Sequence, residues 1–175
     1  MLQCFMRIFL SFLYFSFLCH TLWAKEPLMA ILQGVHANDS QLFLLGQNFL
    51  KCRPYGVISL EEIYAKEQTN QTCRRAIEKF YAKEPLLKHF AGSIFKTKQM
   101  YHIEPKAQRC IVYAQGMNTL SELLLGRGLA FVAPFFKDEE FLYSFSKAQR
   151  NARAQRLGMW SEQEIIECIA EVYRE

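Results

Sequence analysis

After the first two dozen residues, the chain opens with short apolar runs. Residues 29–35 (MAILQGV), 40–46 (SQLFLLG) and 47–52 (QNFLKC) are such runs, separated by 36–39 (HAND) and by Gly46-Gln47-Asn48. Asn-Asp and Gly-Gln-Asn are turn chemistry, so this region predicts strands joined by hairpins. The alternation is loose, as it is when strands are buried on both faces in a small barrel. A polar stretch follows at 61–72. In residues 73–84 the spacing of Ala76, Ile77, Phe80 and Tyr81 predicts an amphipathic helix, which Pro85 ends. Residues 88–95 (KHFAGSIF), 99–105 (QMYHIEP) and 109–116 (RCIVYAQG) read as further strands.

The C-terminal third turns helical. Thr119-Leu120-Ser121-Glu122 is a capping-box pattern, Leu120, Leu123 and Leu124 supply an apolar face, and Gly126 and Gly128 close the helix. After 129–136 (LAFVAPFF), a long helix is predicted from about Lys137 to Leu157, closed by Gly158. Lys147, Arg150, Arg153 and Arg156 form a stripe on it that is either solvated or touches nucleic acid. A second capping-box pattern, Ser161-Glu162-Gln163-Glu164, opens a last short helix with Ile165, Ile166, Ile169 and Val172. No repeat or flexible linker interrupts this order. Strands and helices segregated in one small domain predict an α+β fold with a barrel-like sheet.

Composition sets one segment apart. Residues 1–24 carry Arg7 and then an apolar run from Ile8 to Cys19. This predicts a signal peptide, with Ala24 before the cut. The alternative is an uncleaved membrane anchor, since Phe5 to Ala24 is about long enough to span. The segment holds one basic and no acidic residue, so its removal lowers the net charge from +4 to +3. That balance admits nucleic acid without requiring it. Export makes the protein periplasmic or secreted. Cys52, Cys73, Cys110 and Cys168 then remain, an even number that permits two disulfides. The expected pairing is Cys52–Cys73, tying strand to following helix, and Cys110–Cys168. Four buried thiols are the alternative. His36, His89 and His102 have no metal-site or triad spacing and are expected to be structural or exposed.

Residues 120–132 (LSELLLGRGLAFV) and 148–160 (AQRNARAQRLGMW) resemble two ordered motifs of the staphylococcal-nuclease family. Glu122, Leu124, Gly128, Leu129, Ala130, Ala148, Ala152, Gly158 and Trp160 carry the likeness, with Ser121 where the family often has Asn. The resemblance spans roughly residues 27–160 and leaves 161–175 as an extension. It implies an OB-type five-stranded barrel with three helices, to which the short C-terminal helix is extra. It also implies a site of two arginines, a glutamate and calcium or another divalent cation. Arginine forks pair with phosphate oxygens, a carboxylate activates water, and a hard cation bridges carboxylates and substrate.

In residues 52–64 (CRPYGVISLEEIY), Arg53, Gly56, Val57 and Glu61 fall in register with the family's first-arginine motif. Arg109 is the second arginine. The resemblance therefore implies catalytic Arg53, Glu61 and Arg109. Ile58 stands where the family has a metal-binding aspartate. The family's aspartate-rich turn is Ala37-Asn38-Asp39-Ser40, which leaves Asp39 as the metal candidate. Two functions follow. One is an exported nuclease hydrolysing DNA or RNA, with Glu61 as general base and Arg53 and Arg109 stabilising the phosphate. The other is an inactive nuclease fold serving as a binding or scaffold component with a protein partner in the cell envelope. The membrane is a partner only if the N-terminal segment stays in place.

Overall fold

The computed structural model describes residues 27–173; the signal-peptide or anchor segment lies outside them. Eight strands are formed: β1 (Leu28–Ala37), β2 (Ser40–Leu45), β3 (Asn48–Cys52), β4 (Val57–Ser59), β5 (Met100–Lys106), β6 (Arg109–Gln115), β7 (Asn118–Thr119) and β8 (Ala130–Val132). One antiparallel sheet runs β3-β2-β1-β5-β6-β7, and β4 pairs with β8 in a second. The larger sheet closes on itself. Pro54, just past β3, bridges to Cys110 of β6 in parallel, with Cys110 N donating to Arg53 O at 2.8 Å and Tyr55 N to Cys110 O at 3.0 Å. β1, β2, β3, β5 and β6 thus form a five-stranded barrel, which satisfies edge groups that an open sheet leaves free.

Seven α-helices are described: α1 (Leu60–Ala65), α2 (Gln71–Lys83), α3 (Pro85–Lys88), α4 (Phe90–Ile94), α5 (Leu120–Gly126), α6 (Glu139–Ala154) and α7 (Gln163–Val172), with a 3-10 turn at Gly158–Ser161. The face of α2 made by Ala76, Ile77, Phe80 and Tyr81 is buried as its spacing predicts. α5 has the predicted capping box, Thr119 with Glu122, and buries Leu120, Leu124 and Leu125. Phe43, Leu32, Ile103, Ile111 and Phe145 anchor a core continuous with these helices.

Two glycines of the resemblance motifs have a packing reason. Gly128 and Gly158 both have positive φ, at 65° and 57°. A Cβ on Gly128 would overlap the Leu157 carbonyl, and one on Gly158 would lie 2.5 Å from the Gly128 carbonyl oxygen. Met159 N donates to Gly128 O at 2.9 Å, so the two segments touch backbone to backbone.

Three expectations are corrected. Residues 88–95 are not a strand: α3 and α4 occupy the segment. Pro85 sits in the first turn of α3, where its missing N–H costs nothing. Asn38 fixes the segment from the β1–β2 turn, accepting from Ala91 N at 2.9 Å and donating to Leu87 O at 2.8 Å. Ser161 does not cap α7, because its hydroxyl donates to Gly158 O at 2.8 Å and closes the 3-10 turn. Glu162 takes the cap position without a side-chain bond.

The third correction is the disulfide pairing. All four cysteines are bonded, but as Cys52–Cys110 and Cys73–Cys168, separated by 58 and 95 residues. Barrel closure brings β6 against the end of β3, so Cys110 meets Cys52. Cys73, in the first turn of α2, faces α7 instead. In a chain-entropy account loops of these lengths each stabilise the fold by roughly 4–5 kcal/mol. The loops interleave, so the two values do not simply add.

Candidate functional site

The residues singled out by sequence gather where barrel closure meets α1. Arg53 follows β3 and is exposed. Glu61 and Glu62 lie in the first turn of α1, which starts because the Ser59 hydroxyl accepts from Glu62 N at 3.0 Å. Arg109 begins β6. Asp39, in the β1–β2 turn, is only 5 % exposed.

The pairing inside this cluster differs between the two neighbouring glutamates. Arg109 Nη2 donates to both carboxylate oxygens of Glu62, at 2.8 and 3.0 Å. Its Nη1 donates to Pro54 O at 3.1 Å and Val57 O at 2.9 Å. The guanidinium thus staples β6 to the β3–β4 connection and to α1. Glu61 points elsewhere. Its Oε1 accepts from Asn38 Nδ2 and from the Tyr81 hydroxyl, each at 2.8 Å. Its Oε2 is buried without a partner among the described residues.

Burial sets the electrostatics. It raises the Glu61 carboxyl above its ordinary value, against the opposing effect of its backbone and Tyr81 hydrogen bonds; Asp39 adds to the rise. Burial likewise raises Asp39, opposed by the charge of Arg53. The Tyr81 hydroxyl is raised by burial and then by the Glu61 charge beside it. Glu61 also borders a pocket of about 460 Å³ with His36, Tyr64, Tyr81 and His89. Neither Arg53 nor Arg109 is among its lining residues.

The donor set does not fit a calcium ion of the family's kind. Ile58 is an apolar β4 residue, 6 % exposed and paired with Phe131. Among the described residues no group of three His, Cys, Asp or Glu side chains is placed to hold a metal. Asp39 remains, but Glu62 is committed to Arg109 and one oxygen of Glu61 to Asn38 and Tyr81. A hard divalent cation needs six or more oxygens, several of them charged.

Sequence reading missed three partners. Glu62 was legible only as a second carboxylate beside Glu61, Asn38 as turn chemistry, and Tyr81 as a core position. Each acts through contacts between residues at least 20 positions apart. The histidines His36, His89 and His102 are exposed, as are Lys147, Arg150, Arg153 and Arg156.

A barrel of antiparallel strands closed by a parallel bridge, with helices packed around it, makes this an α+β protein of OB-like fold. The chain matches the family described as staphylococcal nuclease homologue over residues 58–162, more than half its length, and belongs to that family. No curated protein matches it.

Proposed function

We propose that this chain is an exported nuclease-fold protein that engages the phosphate backbone of nucleic acid, and that the family's hydrolytic centre is not assembled from its side chains. Residues 27–160 form the nuclease-like domain and 161–175 its extension. The observation that carries the reading is the commitment of Arg109. Both terminal nitrogens of its guanidinium are spent on Glu62, Pro54 and Val57, so the fork is not free for a phosphate. Exposed Arg53 and the Lys147–Arg156 stripe supply the phosphate contacts. Export rests on the N-terminal segment and on two disulfides, which persist in oxidising compartments. No described helix is long and apolar enough to cross a membrane.

A second reading keeps hydrolysis, with Glu61 as general base and Arg53 and Arg109 on the phosphate. It is favoured by the unpartnered Oε2 of Glu61 and by burial, which raises this carboxyl above its ordinary value and makes its ionised form a stronger base.

Binding and cleavage of single- and double-stranded DNA and RNA separate the two, measured with calcium, magnesium, manganese or EDTA. The expected result is binding that weakens with salt and in Arg53→Ala, with no cleavage above that of Glu61→Gln. Metal-dependent cleavage lost in Glu61→Gln would establish the second reading. No binding at low salt would overturn both and turn the search to a protein partner in the cell envelope.

A further inference from the structure

A hollow of about 410 Å³ lies between the end of α6, the 3-10 turn and the start of α7. Its lining is Arg153, Arg156, Trp160, Ser161, Gln163 and Ile166. It is apart from Arg109 and Glu62: α7 spans ten residues, about 15 Å, and it is Tyr173 beyond its far end that feels the Glu62 charge.

Three features of the hollow favour an anion. The Arg153 guanidinium carbon lies over the Trp160 ring, 4.7 Å from its centroid, a contact that limits where this exposed cation can move. The start of α7 has no side-chain cap. The acids at that end are already matched, Glu162 by Lys83 at 2.9 Å and Glu164 by Lys79 at 3.7 Å. Gln163 leans away, its amide donating to Glu167 at 3.0 Å.

Arg156 adds an argument of a different kind. It sits just past the α6 cap with φ 52°, and the helix closes around it: Arg156 N donates to Arg153 O at 3.1 Å and Leu157 N to Ala152 O at 2.9 Å. This is the C-terminal motif whose left-handed position is normally glycine. An arginine there is held in a disfavoured backbone conformation, and its side chain reaches the hollow. A costly residue at a position that glycine would fill more easily asks for a use.

We propose that this hollow is a phosphate-binding site in which Arg153 and Arg156 hold the phosphate oxygens. The phosphate belongs either to a free or terminal monoester or to a phosphodiester backbone. Arg153 and Arg156 belong to the stripe assigned above to backbone contacts, so a diester here rests on that reading and deepens it, whereas a monoester site stands whether or not Arg53 and the barrel bind nucleic acid.

The test uses the full chain carrying Trp23→Phe, which leaves Trp160 as the only tryptophan and a reporter inside the hollow. Inorganic phosphate and short oligothymidylates with and without a 5′-phosphate are titrated at constant ionic strength while Trp160 fluorescence is followed. A saturable response is expected, weakened roughly tenfold or more in Arg153→Gln and in Arg156→Gly. Arg156→Gly is also expected to raise Tm by about 2–4 °C, because glycine relieves the backbone. Response to inorganic phosphate or only to the 5′-phosphorylated oligomer identifies a monoester; response to both oligomers but not to inorganic phosphate identifies a diester. No saturable response to any probe, or unchanged affinity in both variants, would overturn the proposal. A gain in stability together with a loss of phosphate binding in Arg156→Gly is a combination that a purely structural arginine would not produce.

Discussion

Glu62 holds Arg109 through both carboxylate oxygens, at 2.8 and 3.0 Å, while its chain neighbour Glu61 turns the opposite way to Asn38 and Tyr81. One helical turn therefore feeds two separate networks. Arg109 is expected to matter to stability first. Arg109→Ala strands the Glu62 carboxylate and two backbone carbonyls, and the expected loss is about 2–4 kcal/mol, read from urea unfolding midpoints. Arg109→Lys restores charge but not the fork, so it should recover only part of the loss.

Asn38 is expected to be worth more than a turn residue usually is. Its side chain makes three hydrogen bonds, to Glu61, Leu87 and Ala91, that join the β1–β2 turn to α1, α3 and α4. Asn38→Ala removes all three. Destabilisation of about 2–3 kcal/mol is expected, together with faster amide exchange at Ala91 by native-state hydrogen exchange.

The pH dependence has a definite sign. Burial raises the Glu61 and Asp39 carboxyls, so the folded state keeps their protons to higher pH than the unfolded chain does. Their share of stability is present below the ordinary carboxylate range and is lost as pH rises through the raised folded-state values. Glu61→Gln keeps an acceptor for Asn38 and Tyr81 but cannot ionise. Urea midpoints from pH 4 to 7 should therefore fall less steeply in Glu61→Gln than in the parent; identical slopes would place Glu61 in a more polar environment than the one described.

The disulfides give a chemical check. Non-reducing peptide mapping should recover Cys52 with Cys110 and Cys73 with Cys168. Replacing both Cys73 and Cys168 by Ser should cost about 4.7 kcal/mol, since the lost cross-link closes a 95-residue separation.

Gly158→Ala should destabilise by about 3 kcal/mol, combining left-handed strain with overlap against the Arg127 and Gly128 carbonyls. Thermal unfolding measures it. A shift smaller than that of an exposed helical substitution would mean that the two segments can separate.

The order of elements could be read along the chain because periodicity is local. The α2 face of Ala76, Ile77, Phe80 and Tyr81 and the Thr119–Glu122 capping box each depend on residues within a turn or two. The paired glycine motifs were legible because Gly128 and Gly158 mark a backbone contact that tolerates no side chain. Residues 88–95 failed by the same logic. Their helical form depends on Asn38, about 50 positions earlier, which supplies partners for Leu87 and Ala91 that no local pattern encodes. The candidate residues Arg53, Glu61 and Arg109 came from the family resemblance, since Arg109 lies 48 positions after Glu61 and no local pattern joins them. Which glutamate meets Arg109, and which cysteine meets Cys52, was decided by barrel closure at Pro54 and Cys110. Closure is a long-range event: it aligns hydrogen bonds between strands more than 50 residues apart and so chooses among partners that sequence spacing leaves equal.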